Sequence, residues 1–156
     1  MTYAFEDAHG VERGWVRLDL VVEPGKGTLG DKPAESEAHR RRVRELTGID
    51  KVPGSLNLRA HGRRVWFRRH RGVAWPSGWL YPGRVRGMPV VVVKRGGFGA
   101  SPRLVHLYAD RHLRQAFGLA DGDHIELEVR QGDLVRLPVL QEAAYALRLI
   151  RRRLLS

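Results

Sequence analysis

Eighteen glycines and eight prolines divide this chain of 156 residues into short pieces, and that punctuation limits the fold more than any other feature. Between the breaks, residues 14–22 set Trp15, Val16, Leu18, Leu20 and Val21 among Arg17 and Asp19, a strand pattern. Residues 124–130 repeat it with Ile125, Leu127 and Val129. Residues 104–108 and 134–139 also read as strands, and the valine run in 88–93 reads as a buried one. Residues 70–89 read as loop, because Pro76, Gly78, Pro82, Gly83, Gly87 and Pro89 interrupt them. Helices are expected at 33–46, at 111–117 with Asp110 as cap, and at 140–155. Many short strands with few helices predict a mainly β protein: a small β-barrel with short helices and a basic C-terminal helix. The expected division is a barrel domain over 1–139 and, over 140–156, a helix packed on the barrel or on a partner.

A length of 156 residues fits one domain with an ordinary core. Without cysteine, disulfides and thiolate metal sites are excluded. No basic segment followed by an apolar run opens the chain, and the longest aliphatic run is Val90 to Val93. These features lead us to expect a soluble, cytoplasmic protein. The net charge is +11, which favours polyanions such as nucleic acid, phosphorylated ligands or anionic lipid without choosing among them. Arginine greatly outnumbers lysine, which occurs only at 26, 32, 51 and 94. Arginine suits bidentate phosphate contacts, although a GC-rich coding sequence gives the same excess.

Two segments carry the chemistry. In Pro53-Gly54-Ser55-Leu56-Asn57-Leu58 the Pro-Gly pair sets a turn before a short strand. Alternation along that strand sends Ser55 and Asn57 to one face and Leu56 and Leu58 to the other. A hydroxyl and an amide oxygen together suit Mg²⁺ held partly by protein and partly by a nucleotide's phosphates. A turn and strand with two solvated polar residues has the same pattern. Upstream, Gly25-Lys26-Gly27-Thr28-Leu29-Gly30 follows the first strand. Its glycines allow close backbone approach and can aim N–H groups at phosphate, as an ordinary flexible loop could also do.

Elsewhere the residues are less specific. Arg63 to Arg69 surround Trp66 and Phe67, and Trp75, Trp79 and Tyr81 follow. Aromatic rings among arginines can stack on bases or on a flavin-like ring, or cover the end of a barrel. The 33–46 helix has a thin apolar stripe of Ala38, Val43 and Leu46, which places it on the surface. The last helix aligns Ala143, Leu147, Ile150 and Leu154 on one side and carries Arg148, Arg151, Arg152 and Arg153. It could pack on the barrel, join a partner subunit or touch an anionic surface.

Three of these segments, in order, resemble the archaeal CTP-dependent riboflavin kinases, small cradle-loop barrels that transfer a phosphoryl group from CTP to riboflavin. The glycine loop is the first, and in the family it wraps the nucleotide. The second runs from Leu46-Thr47-Gly48-Ile49 to Pro53-Gly54-Ser55-Leu56-Asn57-Leu58, where the family usually has Pro-Gly-Thr-Leu-Asn-Leu. The third is Ala109-Asp110-Arg111-His112-Leu113-Arg114, leading to Gly118-Leu119-Ala120-Asp121-Gly122-Asp123. Taken alone, that third segment also looks like the repeat unit of barrel-type transcription factors.

The resemblance implies that Ser55 and Asn57 ligate Mg²⁺. It also implies that Gly25, Lys26, Gly27, Thr28, Leu29 and Gly30, with Arg111, His112, Leu113 and Arg114, bind the nucleotide. His106 aligns with a family glutamate, and where the family has a flavin-contacting threonine this chain offers Gly97, Phe98 or Gly99, of which Phe98 is taken as the substrate contact. Both are therefore expected on the acceptor side, His106 as a catalytic or substrate-binding residue. The implied reaction gives FMN and CDP. The alternatives are a kinase of the same fold acting on another alcohol, and a nucleic-acid-binding barrel without catalysis.

Overall fold

The computed structural model describes residues 14–25, 37–62, 64–96, 100–135 and 138–155. In chain order the elements are β1 (Trp15–Val22), α1 (Glu37–Thr47), β2 (Leu56–Ala60), β3 (Val73–Trp75), β4 (Gly78–Val85), β5 (Met88–Arg95), β6 (Leu104–Tyr108), α2 (Leu113–Phe117), β7 (His124–Arg130) and α3 (Val139–Leu155). All strand pairings are antiparallel. The sheet runs β4-β5-β6-β2-β1-β7, and β7 returns to β4 through Gly83↔Val129 and Arg84↔Glu128. Six strands thus close a barrel, and β3 hangs on β4 outside the ring. Closure removes the open edges that a short-stranded sheet would expose.

Alternation fills the interior. Leu18, Leu20 and Val22 of β1, Leu56 and Leu58 of β2, Val105 and Leu107 of β6, and Ile125, Leu127 and Val129 of β7 meet in one core. Gly83 faces that core where β4 touches both β5 and β7. A Cβ there would lie 2.6 Å from Val92 Cγ2, so the close approach requires glycine.

A second, smaller core forms outside the barrel from Val43, Leu80, Val91, Val93 and Tyr108, with Leu46, Ile49, Val73 and Trp75 around it. Strand β5 is therefore buried on both faces, Val90 and Val92 inward and Val91 and Val93 outward, which accounts for its unbroken valine run. Helix α1 lies on the outside as expected and contributes a fully buried Val43. Its Thr47 hydroxyl donates to Val43 O and accepts from Ile49 N–H, closing the last turn before Gly48, which has a φ of 77°.

Three expectations for individual elements need correction. Residues 70–89 are not loop: they hold β3, β4 and the start of β5. Pro82 sits inside β4 because β3 pairs with residues 78–80 and β7 with 83–84. It falls where β4 changes neighbour, and a residue without N–H is tolerated there. The short helix begins at Leu113, and Asp110 does not cap it. The Asp110 carboxylate instead accepts from Arg111 Nε at 2.9 Å. Among the described residues of 134–139 there is no strand: Leu134 makes only an isolated bridge with Phe67, and Val139 starts α3. Buried Asp133 draws in the Arg130 side chain at 2.7 and 3.0 Å, within the 3-10 turn Gln131–Asp133 that diverts the chain. Of the helix expected over 33–46, the structure describes Glu37–Thr47, and residues 33–36 lie outside the described residues.

Candidate active site

Strand pairing brings the two distant motifs together. β2 lies against β6 with Leu56 opposite Leu107 and Asn57 opposite His106. Leu56, Leu58, Val105 and Leu107 anchor this seam in the core, so Asn57 and His106 share the outer face. The Pro53-Gly54 turn is held to the third motif by the bond from Val52 N–H to Ala109 O, 2.9 Å. Gly54 takes the left-handed conformation (φ 88°) that the turn requires.

Three polar side chains connect there. Ser55 Oγ donates to Asn57 Oδ1 at 3.1 Å, and His106 Nδ1 lies 2.7 Å from the same oxygen. Burial, then the positive charges of Arg95 and Lys94, push the His106 pKa down to about 4. The ring is therefore neutral near pH 7. Because Asn57 Oδ1 can only accept, Nδ1 carries the ring proton and Nε2 is left as the acceptor.

Beside this triplet a cleft of about 260 Å³ is lined by Val52, Ser55, Ala109, Arg111, His112 and Arg114, among others. Arg111 and His112 stand exposed at it, the former against Asp110. The Leu113 side chain packs into the barrel core, so that residue anchors the segment. Arg114 donates to Glu23 O at 2.7 Å and pairs with Asp121, also at 2.7 Å. Gly25 is exposed and lies just past this point. Lys26, Gly27, Thr28, Leu29, Gly30 and Phe98 lie outside the described residues.

Glu23, Arg59 and Lys94 also belong to this region and were not singled out from the sequence. Glu23 carries three constraints. Its N–H donates to Asn57 O at 2.9 Å, its carbonyl accepts from Arg114, and its carboxylate takes a two-pronged contact from Arg59 at 2.5 and 3.2 Å. The entrance of the glycine loop is thereby tied to the strand that carries Asn57. Arg59 stands two residues after Asn57 on the same face, which was the available signal. Lys94 is 9% exposed and donates to Pro102 O and Leu104 O at 3.2 and 2.8 Å, fixing the far end of the segment that includes residue 98. Desolvation lowers its pKa to about 8.

No family model matches the chain. Three curated archaeal proteins named riboflavin kinase are similar to it. The Archaeoglobus fulgidus protein is 30% identical over 134 residues, covering 76% of this chain and 56% of that protein. The Ignicoccus hospitalis protein is 29% identical over 147 residues, 80% of this chain and 82% of that protein. The Methanocella arvoryzae protein is 27% identical over 100 residues, 58% of this chain and 47% of that protein. The chain thus spans about half the length of the Archaeoglobus and Methanocella relatives and most of the Ignicoccus one.

The donor set can be tested against a magnesium ion. Ser55 Oγ and Asn57 Oδ1 are hard, neutral oxygens 3.1 Å apart. Among the described residues no group of three His, Cys, Asp or Glu side chains is arranged to hold a metal. The pair therefore fits a cation whose other ligands are phosphate oxygens and water, and does not fit an all-protein cage. No helix among the described residues is long and apolar enough to cross a membrane.

Proposed function

We propose that this chain is a riboflavin kinase that transfers the terminal phosphoryl group of CTP to riboflavin, giving FMN and CDP with Mg²⁺ bound. The observation that carries this reading is the meeting of Ser55, Asn57 and His106 on one outer face, beside the cleft of Arg111 and His112. The similarity to three proteins named riboflavin kinase supports it independently.

Ser55 and Asn57 would hold the cation, which neutralises phosphate charge when bound. Asn57 Oδ1 already accepts from two donors, so Ser55 must turn its hydroxyl proton away for both oxygens to serve as ligands. Residues 25–30 would lie over the nucleotide, with Lys26 supplying a positive charge, and Arg111 and His112 would contact it at the cleft. Phosphoryl transfer is accelerated mainly by positioning and charge stabilisation. A neutral His106 suits that economy. With a pKa near 4 its ring is a weak proton acceptor, and its assigned roles are to orient Asn57 and to contact the acceptor alcohol. Riboflavin would approach from the His106 side, near Phe98.

Phosphorus NMR of the protein with CTP, ATP, Mg²⁺ and riboflavin tests the reading. FMN and CDP should appear together, from CTP in preference to ATP and only with the cation. Turnover of a different alcohol would keep the kinase and remove riboflavin. No transfer from either nucleotide would remove the kinase. The nucleic-acid reading loses support from the basic-aromatic stretch. Arg64 pairs with Glu142, Arg68 donates to Leu134 O, Arg69 lies over the Trp79 ring and Arg71 faces Asp133.

A further inference from the structure

The C-terminal helix faces the wrong way for a helix that serves only its own barrel. Among the described residues, every large hydrophobic side chain classed as exposed lies on α3: Val139, Leu140, Leu147, Leu149, Ile150, Leu154 and Leu155. None of its residues is buried. It meets the barrel through polar and aromatic groups on the opposite side. Trp66 Nε1 donates to Glu142 at 2.8 Å, Arg64 also pairs with Glu142, and Arg64 lies over the Tyr145 ring at 4.7 Å. Helical periodicity puts Glu142, Tyr145 and Leu149 on one side. Leu140, Ala143, Leu147, Ile150 and Leu154 then form a stripe pointing away from the barrel. Their spacing alternates three and four residues, the pattern of a helix–helix seam.

We infer that this stripe is the interface between two copies of the chain, with the two α3 helices antiparallel. The spacing and shape of the stripe favour that occupant, and charge sets its orientation. An antiparallel seam sets an a-type position against a d-type one, so Ala143 lies across from Leu154 of the partner subunit and Leu147 from the partner's Ile150. Small then meets large, and the two central layers are Leu against Ile. Arg148, Arg151, Arg152 and Arg153 all sit in the second half of the helix. Parallel pairing would gather eight of these charges at one end, whereas antiparallel pairing leaves four at each end. Because the barrel contacts the far side of each helix, the arrangement barrel–helix–helix–barrel leaves the Ser55–Asn57–His106 face outside the interface.

Sedimentation velocity of the full chain over a wide concentration range tests this. A reversible monomer–dimer equilibrium is expected. It should tighten as salt screens the two positive bodies from one another. Leu147→Glu should leave a monomer with unchanged circular dichroism and unchanged phosphoryl transfer. Orientation is read by oxidative cross-linking, since the natural chain has no cysteine. A mixture of Ala143→Cys and Leu154→Cys should form a mixed disulfide dimer, while either variant alone should not. A chain that stays monomeric at all concentrations overturns the inference. So does cross-linking of each variant with itself, the parallel result. Binding to phosphatidylglycerol vesicles that weakens with salt, without self-association, would give the stripe to a lipid surface instead and also overturn it.

Discussion

Helices α1 and α3 are both arginine-rich and both lie outside the same barrel, yet they dock in opposite senses. α1 has few apolar residues and buries Val43 completely. α3 has many more and buries none. The amount of apolar surface on a helix therefore does not decide which side meets the barrel. What decides it is the patch offered. Beneath α1 the outer faces of β4, β5 and β6 present Leu80, Val91, Val93 and Tyr108, and a single valine finds a complete apolar socket. Beside α3 the barrel presents Arg64 and Trp66, whose side-chain N–H donors find their acceptor in the Glu142 carboxylate. The first contact also supports the proposed chemistry, because Val93 is paired with His106 and Tyr108 follows two residues later.

Four changes sharpen or break this contrast. The largest effect is expected at the site that the α1 side supports. Asn57→Ala should abolish phosphoryl transfer while leaving the thermal transition and circular dichroism in place, because Asn57 lies outside the core. Turnover like that of the natural chain would remove the metal assignment. Next is Val43→Asp, which buries an unpaired charge in the outer core. It should cost on the order of 3–5 kcal/mol in urea denaturation and lower transfer as β5 and β6 loosen around His106. A neutral result would mean that the socket under α1 is not needed.

A smaller effect concerns pH. The folded His106 pKa of about 4 lies below its ordinary 6.5, so between these values the unfolded chain binds more protons. Stability contributed by the neutral ring is complete above 6.5, is lost as the pH falls toward 4, and changes no further below that. His106→Gln should flatten the dependence of melting temperature on pH across that window. An unchanged slope would mean that the ring is solvated and that its bond to Asn57 is not maintained. The smallest effect is expected on the other helix. Leu147→Asp should change monomer stability by no more than about 0.5 kcal/mol, as for a surface site, measured below the dimerisation range. A large loss there would show that the outward stripe packs within one chain.

Much of the barrel was legible because its strands carry a strict period of two. β1 and β7 were readable from Trp15 to Val22 and from His124 to Arg130, since one face is core and the other is wet. β4 was not, because Pro82 and Gly83 carry the marks of a loop. Only the closure of the sheet explains them, one residue falling between two neighbouring strands and the other passing close to Val92. The helix at 113 was displaced from its expected start because Arg111 competes for the Asp110 carboxylate, a choice between two local partners that spacing does not reveal. At the site, alternation put Ser55 and Asn57 on one face, and the structure bears that out with a 3.1 Å contact. Their meeting with His106 needed the β2–β6 register.

By itself, the order of residues determined the strands β1, β5, β6 and β7, the turn at Pro53-Gly54, and that a hydroxyl and an amide would project together after it. Those are local properties, fixed by the two-residue repeat of a strand and the conformational limits of glycine and proline. Tertiary structure alone decided that Glu23 and Arg59 would clamp the loop entrance, that burial would hold His106 neutral, and that α3 would turn its leucines outward. Each of these depends on what a distant strand happens to present, and desolvation and pairing across the barrel exist only once the sheet has closed.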